Sequence, residues 1–463
     1  MKNYDVVVLG AGPGGIAAAA TAARSGAKVC LIEPGKAGGV CLNVGCMPSK
    51  ALLAAADLAW RSRTAGSVGL GAVEPSVDGA ALMARVRDVV AELLARQEKS
   101  LARVENLELI AGRGRLIGPK TVEVTGVSGG DGAGEVAAGA IVLATGASPV
   151  RPDFLPWDSG LVWTSEEAVV AADLPPEVLV VGGGVIGCEL ATAWAELGSR
   201  VVLVEMLDRL LAPFDAEASK AVAESLEERG VGVVTGRKVA GMAARDGRLT
   251  TTLDDGRSFS TDRAMAAVGR RANVADLGLE AAGVQLDAGI VPVDDRCRTN
   301  VEGVYAVGDI AEARQYAHLA ERMGQVAGAN AVGDHVSDDR TVVPGGVYTH
   351  PEVAAVGLTH AEAKERFGKV GVFRYVYSGS GTALVYGEAA GQLKVVADPE
   401  SGAIHGALWI GPHAVDLIGE LAVAMRAGLT LEDVARTIHP HPTFEEATSV
   451  VAESFLRRKA RSR

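Results

Sequence analysis

The chain has 463 residues, about three times the length of an average domain. Its 48% hydrophobic and 22% charged content excludes a largely disordered polymer. Acidic residues outnumber basic ones 57 to 45, a net charge of −12 that argues against a general nucleic-acid or anionic-membrane surface, and five cysteines are too few for a dense secreted disulfide framework.

The N-terminus, Met1-Lys2-Asn3-Tyr4-Asp5, runs straight into an apolar strand pattern without a cleavable signal, so the expectation is a cytoplasmic protein. No run of eighteen apolar residues occurs, and no membrane-spanning helix is expected. Glycine is the informative excess, 58 of 463 residues, and it clusters at the ends of predicted strands. The first cluster, Gly10-Ala11-Gly12-Pro13-Gly14-Gly15, follows a short apolar strand and opens an alanine-rich helix. A second strand then ends in Glu33.

The same unit recurs about 170 residues later. Val178-Leu179-Val180-Val181 precedes Gly182-Gly183-Gly184-Val185-Ile186-Gly187, and the following strand closes on Glu205. In both copies the carboxylate stands 18 residues after the third glycine. In such a turn the glycines permit a tight bend, backbone approach to a pyrophosphate and close helix packing. The helix N-terminus then offers N–H groups to the phosphates. Glu33 and Glu205 are placed to accept hydrogen bonds from a ribose, and a carboxylate at Glu205 favours NAD over NADP by repelling a 2′-phosphate. Arg200 and Arg209 flank it and are expected on the surface or paired with nearby acids. Ser128–Gly134 reads as a surface loop or hairpin. Beyond about residue 345 the texture changes to strands near Val347, Phe373 and Leu393 and helices near Ala414 and Leu431, as in an α+β domain.

Cys41 and Cys46 are separated by four residues in Gly38-Gly39-Val40-Cys41-Leu42-Asn43-Val44-Gly45-Cys46-Met47-Pro48-Ser49-Lys50. In an undistorted helix their Cα atoms would be about 8–9 Å apart, whereas a disulfide wants less than about 7 Å. A bonded pair therefore needs local contraction, for which Gly45 and Pro48 are suited. Spacing alone leaves two readings open, a redox-active pair or two buried free thiols. No second cysteine or histidine pair completes a metal site. Cys30, Cys188 and Cys297 sit in or beside apolar runs and read as core thiols. Near the C-terminus, Ile438-His439-Pro440-His441-Pro442-Thr443-Phe444-Glu445-Glu446 reads on its own as a rigid loop with a solvated glutamate.

Taken together, these motifs resemble the class I pyridine nucleotide–disulfide oxidoreductases, most closely those that oxidise dihydrolipoyl groups. The resemblance spans essentially the whole chain and includes Ala144-Thr145-Gly146-Ala147, Val268-Gly269-Arg270-Arg271, Tyr305-Ala306-Val307-Gly308-Asp309-Ile310 and Ala317-His318-Leu319-Ala320. It implies an α/β fold with two Rossmann-like domains, for FAD and NAD, and a C-terminal α+β dimerisation domain. The boundaries are 1–149 and 271–344 for the two parts of the FAD-binding domain, 150–270 for the NAD-binding domain and 345–463 for the interface.

FAD would contact Gly10, Gly12, Gly14, Gly15, Glu33, Lys50, Thr145, Gly146, Asp309 and Ala317. NAD would contact Gly182, Gly184, Gly187, Glu205 and Gly269. By the same resemblance Cys41 and Cys46 form the redox disulfide, and Lys50 pairs with Glu189 near the flavin. His441, oriented by Glu446, acts as the base on the cysteines of the other subunit, which makes the protein a homodimer; His439 has no comparable role in the motif. The implied partners are a lipoyl domain and either a 2-oxo acid dehydrogenase complex or the glycine cleavage system. Val40, Met47 and Glu445 depart from the usual residues, and the stretch before Ala383 lacks a common arginine. A reductase of another low-molecular-weight disulfide and a mainly scaffolding flavoprotein are the alternatives. A mercuric reductase is disfavoured because no cysteine follows Cys297.

Overall fold

A computed structural model of the chain describes residues 2–126 and 134–461. The Ser128–Gly134 loop lies outside the described residues except for Gly134, which opens a strand. The first unit is β1 (Lys2–Leu9), α1 (Pro13–Arg24) and β2 (Val29–Glu33). After it come two helices, α2 (Gly39–Asn43) and α3 (Cys46–Thr64), then the long α4 (Gly79–Leu101). Strands β3 (Leu107–Gly118), β4 (Thr121–Gly126) and β5 (Gly134–Leu143) form a meander, and β6 (Ala147–Pro149) leads out of the unit.

Strands β1, β2, β3 and β5 pair in parallel in the order β3-β2-β1-β5. Burial on both faces explains why Val6, Val7 and Val8 form an unbroken apolar run; all three are inaccessible to solvent.

The second unit contains β7 (Val162–Thr164), α5 (Ser165–Ala168), β8 (Glu177–Val181), α6 (Val185–Glu196), β9 (Arg200–Val204), α7 (Ala216–Glu228) and β10 (Gly232–Val234). The antiparallel β11 (Val239–Arg245), β12 (Arg248–Leu253) and β13 (Ser258–Thr261) follow, then β14 (Arg263–Ala266). The order β10-β9-β8-β14-β7 is parallel throughout. Next, β15 (Arg270–Ala272) pairs with β6 and carries the chain back to the first unit. There α8 (Leu279–Ala282) is followed by β16 (Val304–Ala306), which adds to the first sheet beside β5, and by α9 (Ala317–Ala331).

The remainder is an antiparallel sheet with helices. Strands β17 (Gly345–Val347) and β18 (Val353–Gly357) precede α10 (His360–Phe367), β19 (Gly371–Val376), α11 (Gly381–Tyr386), β20 (Gln392–Ala397) and β21 (Ile404–Ile410). Helices α12 (Ala414–Arg426), α13 (Leu431–Ala435) and α14 (Glu446–Arg461) complete it. The sheet order is β17-β18-β21-β20-β19. Lys394 of β20 is buried and paired with Asp215 at 3.0 Å and Glu217 at 2.8 Å, which pins this sheet to the start of α7.

Two close approaches position the first unit. Helix α9 packs against α1 through small residues one turn apart. A Cβ on Gly324 would stand 2.1 Å from the Gly14 carbonyl oxygen, and one on Gly328 2.4 Å from that of Ala18. The second approach lies between α3 and the second unit: Leu52, Leu53, Ala56 and Ala59 are buried in a core shared with Val178, Val180 and Leu190. By length and composition the Gly39–Val68 stretch is apolar enough to cross a membrane, although it contains no unbroken apolar run of that length. In the fold it is interrupted at Val44–Gly45, packs this apolar face inward, and carries ion-paired Lys50, Arg61 and Arg63.

Replacing Gly324 with alanine should destabilise the protein by about 1–3 kcal/mol, the range for forcing a group into a filled core. Urea unfolding followed by far-ultraviolet circular dichroism measures it. An unchanged midpoint would mean the α1–α9 contact is loose.

Candidate active site

The two glycine turns are built alike. Gly10 and Gly182 adopt φ of +103° and +109°, which only glycine tolerates well. A Cβ on either would strike a carbonyl oxygen of the neighbouring strand end, Ala144 at 2.3 Å or Ala267 at 2.4 Å. Gly15 and Gly187 open the helices so close to the strands that a Cβ would lie 1.8 Å and 1.9 Å from the Gly10 and Gly182 oxygens. Gly12 and Gly184 are the extended N-cap residues, and neither has a side chain to cap the helix. The N–H groups of both helix starts therefore face open space, as an anionic ligand requires.

Glu33 and Glu205 also match one another. Glu33 accepts from Ala11 N at 2.7 Å and Gly35 N at 2.8 Å. Glu205 accepts from Gly183 N at 2.6 Å and Leu207 N at 2.7 Å. Each oxygen keeps a further lone pair for a ribose hydroxyl. The flanking arginines divide: Arg200 pairs with Glu177, whereas Arg209 donates to the Ala212 and Phe214 carbonyls at 2.6 and 2.7 Å rather than to an acid.

A continuous cavity of about 2060 Å³ joins both turns. Its wall includes Thr145, Gly146, Gly269, Asp309 and Ala317, as well as Cys41, Cys46, Lys50 and Glu189. Thr145 and Asn273 exchange hydrogen bonds at 2.9 Å, which fixes the loop after β5. Asp309 is largely buried in this wall, and burial raises its pKa.

The cysteines lie where the helix breaks. Cys41 is the third residue of the short α2, Val44 and Gly45 leave helical geometry, and Cys46 is the first residue of α3. This contraction brings the two thiols into hydrogen-bond contact; both are thiols here. The bond from Cys41 and the nearby Lys50 ammonium, set against burial, lower the Cys46 pKa to about 7, while the Cys41 thiol is pushed up. A helix N-terminus adds in the same direction for Cys46. Gly39, with φ of +58°, presses so closely on the first turn that its Cβ would stand 2.7 Å from Gly12 Cα. The cysteine segment and the first phosphate-binding turn thus share one backbone contact. By contrast Cys30 and Cys297 are buried core thiols, each raised to about 12 by desolvation, and buried Cys188 is raised likewise.

Lys50, one helical turn after Cys46, meets Glu189 of α6 at 2.7 Å. His441 is elsewhere. Its Nδ1 lies 2.7 Å from Glu446 Oε1, it is 80% exposed, and it does not line the cavity of its own chain. The His441 hydrogen bond is the main reason the Glu446 carboxyl stays below its usual pKa. Its rim is apolar and bare: Ile438 is 95% exposed, and Leu384, Val385 and Tyr386 are exposed on α11.

Several residues in and around the site were not anticipated. His439 is buried, with Nε2 2.9 Å from Glu420 and Nδ1 3.1 Å from the Thr437 carbonyl, so it anchors the loop that carries His441. Tyr348 stacks on Lys50. Glu196, Arg229 and His350 form a polar cluster at the far end of α6. Their partners are distant in sequence, and the one local signal is the aromatic–histidine–proline run Tyr348-Thr349-His350-Pro351.

Residues 4–324 match the model of the pyridine nucleotide-disulphide oxidoreductases, and residues 343–452 match that family's dimerisation domain. The chain belongs to this family. It is 39% identical to a dihydrolipoyl dehydrogenase of Thermus scotoductus, with 98% of each chain covered, and 38% identical to one of Haloferax volcanii, covering 98% of this chain and 96% of that protein. Among solved structures it resembles LpdA of Mycobacterium tuberculosis, with a TM-score of 0.90 and 29% identity over 98% and 99% of the two chains. The HOCl-induced flavoprotein disulfide reductase RclA of Escherichia coli gives a TM-score of 0.88 and 25% identity over 98% and 100%.

Members of this family use FAD and NAD as redox cofactors and pair through the dimerisation domain, so this chain is a homodimer. The chain fits both cofactors: no Cβ is admitted at Gly10 and Gly15 of one cradle or at Gly182 and Gly187 of the other, each cradle is followed by a carboxylate, and one cavity connects them.

Alkylation of Cys46 by iodoacetamide in the dithiol protein should follow a midpoint near pH 7, where the thiol is held. The reactive thiolate persists above that pH and is lost as pH falls through it. Peptide mapping by mass spectrometry across pH 5–10 reads it; a midpoint at the ordinary value of about 8.5 would remove the assignment.

Proposed function

We propose that the protein oxidises dihydrolipoyl groups with NAD⁺ through a disulfide between Cys41 and Cys46, as a dihydrolipoyl dehydrogenase. The observation that carries this reading is the cysteine pair in the wall of a cavity shared by two dinucleotide cradles. The relatives named above supply the dihydrolipoyl specificity.

In this reading the site is completed by His441 of the partner subunit. Glu446 can only accept from Nδ1, so that nitrogen carries the proton and Nε2 is left as the base. It takes a proton from one substrate thiol, and the resulting thiolate attacks Sγ of Cys41. The Cys41–Cys46 bond breaks, and Cys46 leaves as a thiolate stabilised by Lys50 and by its place at the start of α3. The second substrate thiol attacks the substrate sulfur of the mixed disulfide, its proton passes to the departing Cys41 sulfur, and Cys41 is released as a thiol. The substrate leaves as a cyclic disulfide, two electrons poorer, and the enzyme pair holds them. FAD, when bound, supplies the route by which that electron pair reaches NAD⁺.

Gly10, Gly12, Gly14, Gly15, Glu33, Thr145, Gly146, Asp309 and Ala317 would hold the flavin nucleotide, and Gly182, Gly184, Gly187, Glu205 and Gly269 the nicotinamide one. The exposed apolar rim around His441 supports its placement against a second copy. A dithiol-bearing lipoyl domain, delivered by a 2-oxo acid dehydrogenase complex or the glycine cleavage system, is the substrate this reading assigns. This reading assigns that work to the cytoplasm, where a dithiol substrate stays reduced.

The test is NAD⁺ reduction by dihydrolipoamide with the FAD-loaded protein. Turnover with NAD⁺ and little with NADP⁺ is expected. Absence of dihydrolipoamide turnover in a protein whose flavin is still reduced by NADH would shift the substrate to another disulfide. His441→Gln should lower kcat by about 10²–10⁴, and Glu446→Gln by less. Glu205→Ala should improve kcat/KM for NADP⁺ relative to NAD⁺ by about tenfold, the loss of one close charge repulsion. An unchanged cofactor ratio would mean that Glu205 is not the selector.

A further inference from the structure

Helices α3 and α6 face each other along a polar seam whose residues repeat two turns apart. Lys50 meets Glu189 at one end of the seam. At the other, His350 stands between Asp57, seven residues after Lys50, and Glu196, seven residues after Glu189. The segment after β17 closes both ends. Tyr348 N donates to Glu189 Oε1 at 3.0 Å, which leaves Oε2 for Lys50 at 2.7 Å. The Tyr348 ring covers the ammonium, with Nζ 4.4 Å from the ring centroid. Two residues on, His350 Nδ1 lies 2.8 Å from the fully buried Glu196, which also takes Arg229 Nε at 2.7 Å. The anchored end holds the backbone that presents Tyr348.

Lys50 is a long, flexible side chain, 30% exposed, standing at the edge of a large cavity. One carboxylate fixes its distance from α6 but leaves the ammonium free to swing about that contact. A ring face over the cation removes this freedom, because the ring quadrupole attracts the charge and the ring excludes water from that side. We propose that Tyr348 is a positioning residue that holds the Lys50 ammonium against the Cys46 thiolate. It acts through Lys50 and needs only its ring. The proposal rests on the reading of Cys46 as the thiolate of the redox pair.

The titratable groups acting on Cys46 are Cys41 of α2, Lys50 of its own helix and Glu189 of α6. On the outer side, Glu352 and Asp416 act on Tyr348, and the Glu352 carboxylate is held by Val415 N at 3.0 Å. Removing Cys41 takes away the thiol–thiol bond and leaves Lys50 as the cation that favours the thiolate. The measurement is therefore the pH dependence of iodoacetamide alkylation of Cys46, by mass spectrometry, in the FAD-loaded Cys41→Ala protein.

In that background Tyr348→Phe should leave the midpoint unchanged. Tyr348→Leu should raise it and slow alkylation at pH 7 by about three- to tenfold, the scale of a partly buried cation–π contact. Tyr348→Met serves the same purpose should the leucine variant not fold. Lys50→Met should raise the midpoint at least as far, and adding Tyr348→Leu to it should change nothing more. If Lys50→Met shifts the midpoint and Tyr348→Leu does not, the proposal fails while the reading of Cys46 stands. An equal effect of Tyr348→Leu with and without Lys50 overturns it too, because Tyr348 would then act by another route. If Lys50→Met itself has no effect, both the proposal and the thiolate assignment fall.

Discussion

The redox centre depends on a contact between two stretches of main chain. Gly39 lies so close to Gly12 that a methyl group on Gly39 would stand 2.7 Å from Gly12 Cα, and Gly38 N donates to the Ala11 carbonyl at 2.8 Å. The first glycine turn and the turn that carries the cysteines are therefore joined through main chain. From this contact α2 runs one short stretch, breaks at Val44–Gly45, and restarts as α3 with Cys46 at its head. The break does two jobs: it closes the distance between the thiols, and it gives one of them a helix N-terminus. A continuous helix would have done neither.

Rigidity at one end would be of little use if α3 were free at the other. Its apolar face is buried with residues of the second unit, and its polar face meets α6 through paired charges. Buried charges of this kind add little net stability, because desolvation offsets attraction, but removing one partner is costly. The chain uses them where register matters. Glu189 holds α3 directly through Lys50, and Glu196 reaches it through His350 and Asp57. The third sheet takes part through Tyr348 and His350, so all three layers of the molecule converge on one helix.

Much of this was legible in the sequence because backbone chemistry leaves local marks. A positive φ or a 1.8 Å approach admits only glycine, so Gly10, Gly15, Gly182 and Gly187 announce the turns. The carboxylates announce themselves by their distance from those turns. The need for a contraction between Cys41 and Cys46 was also readable, from helix geometry alone. What stayed hidden was made by side chains far apart in the chain: Lys50 and Glu189 are 139 residues apart, and His350 and Glu196 154. Lys50–Glu189 came only through family resemblance, and Tyr348, Glu196 and His439 not at all. Composition also misleads in one place, since Gly39–Val68 has the apolar content of a membrane helix but is broken at Val44–Gly45, buries one face and carries an ion-paired lysine.

The His441 loop, the proposed acid–base half of the centre, follows the opposite logic. His441 sits on an exposed rim, yet its setting is fixed: Glu446 holds one ring nitrogen, Thr443 N donates to the same carboxylate at 2.9 Å, and buried His439 ties the loop to Glu420. A histidine ordered this tightly in open solvent gains nothing by itself, because water would serve its free nitrogen equally well. The ordering makes sense only if a second surface arrives with its partner group already in place. The thiols, in turn, lie in a cavity whose own walls offer Lys50 and Glu189 but no imidazole from the His441 loop. In the proposed reading each chain prepares two halves of a centre, and a homodimer would bring together two complete centres by symmetry. Dissociation would then abolish thiol exchange while leaving both nucleotide cradles intact.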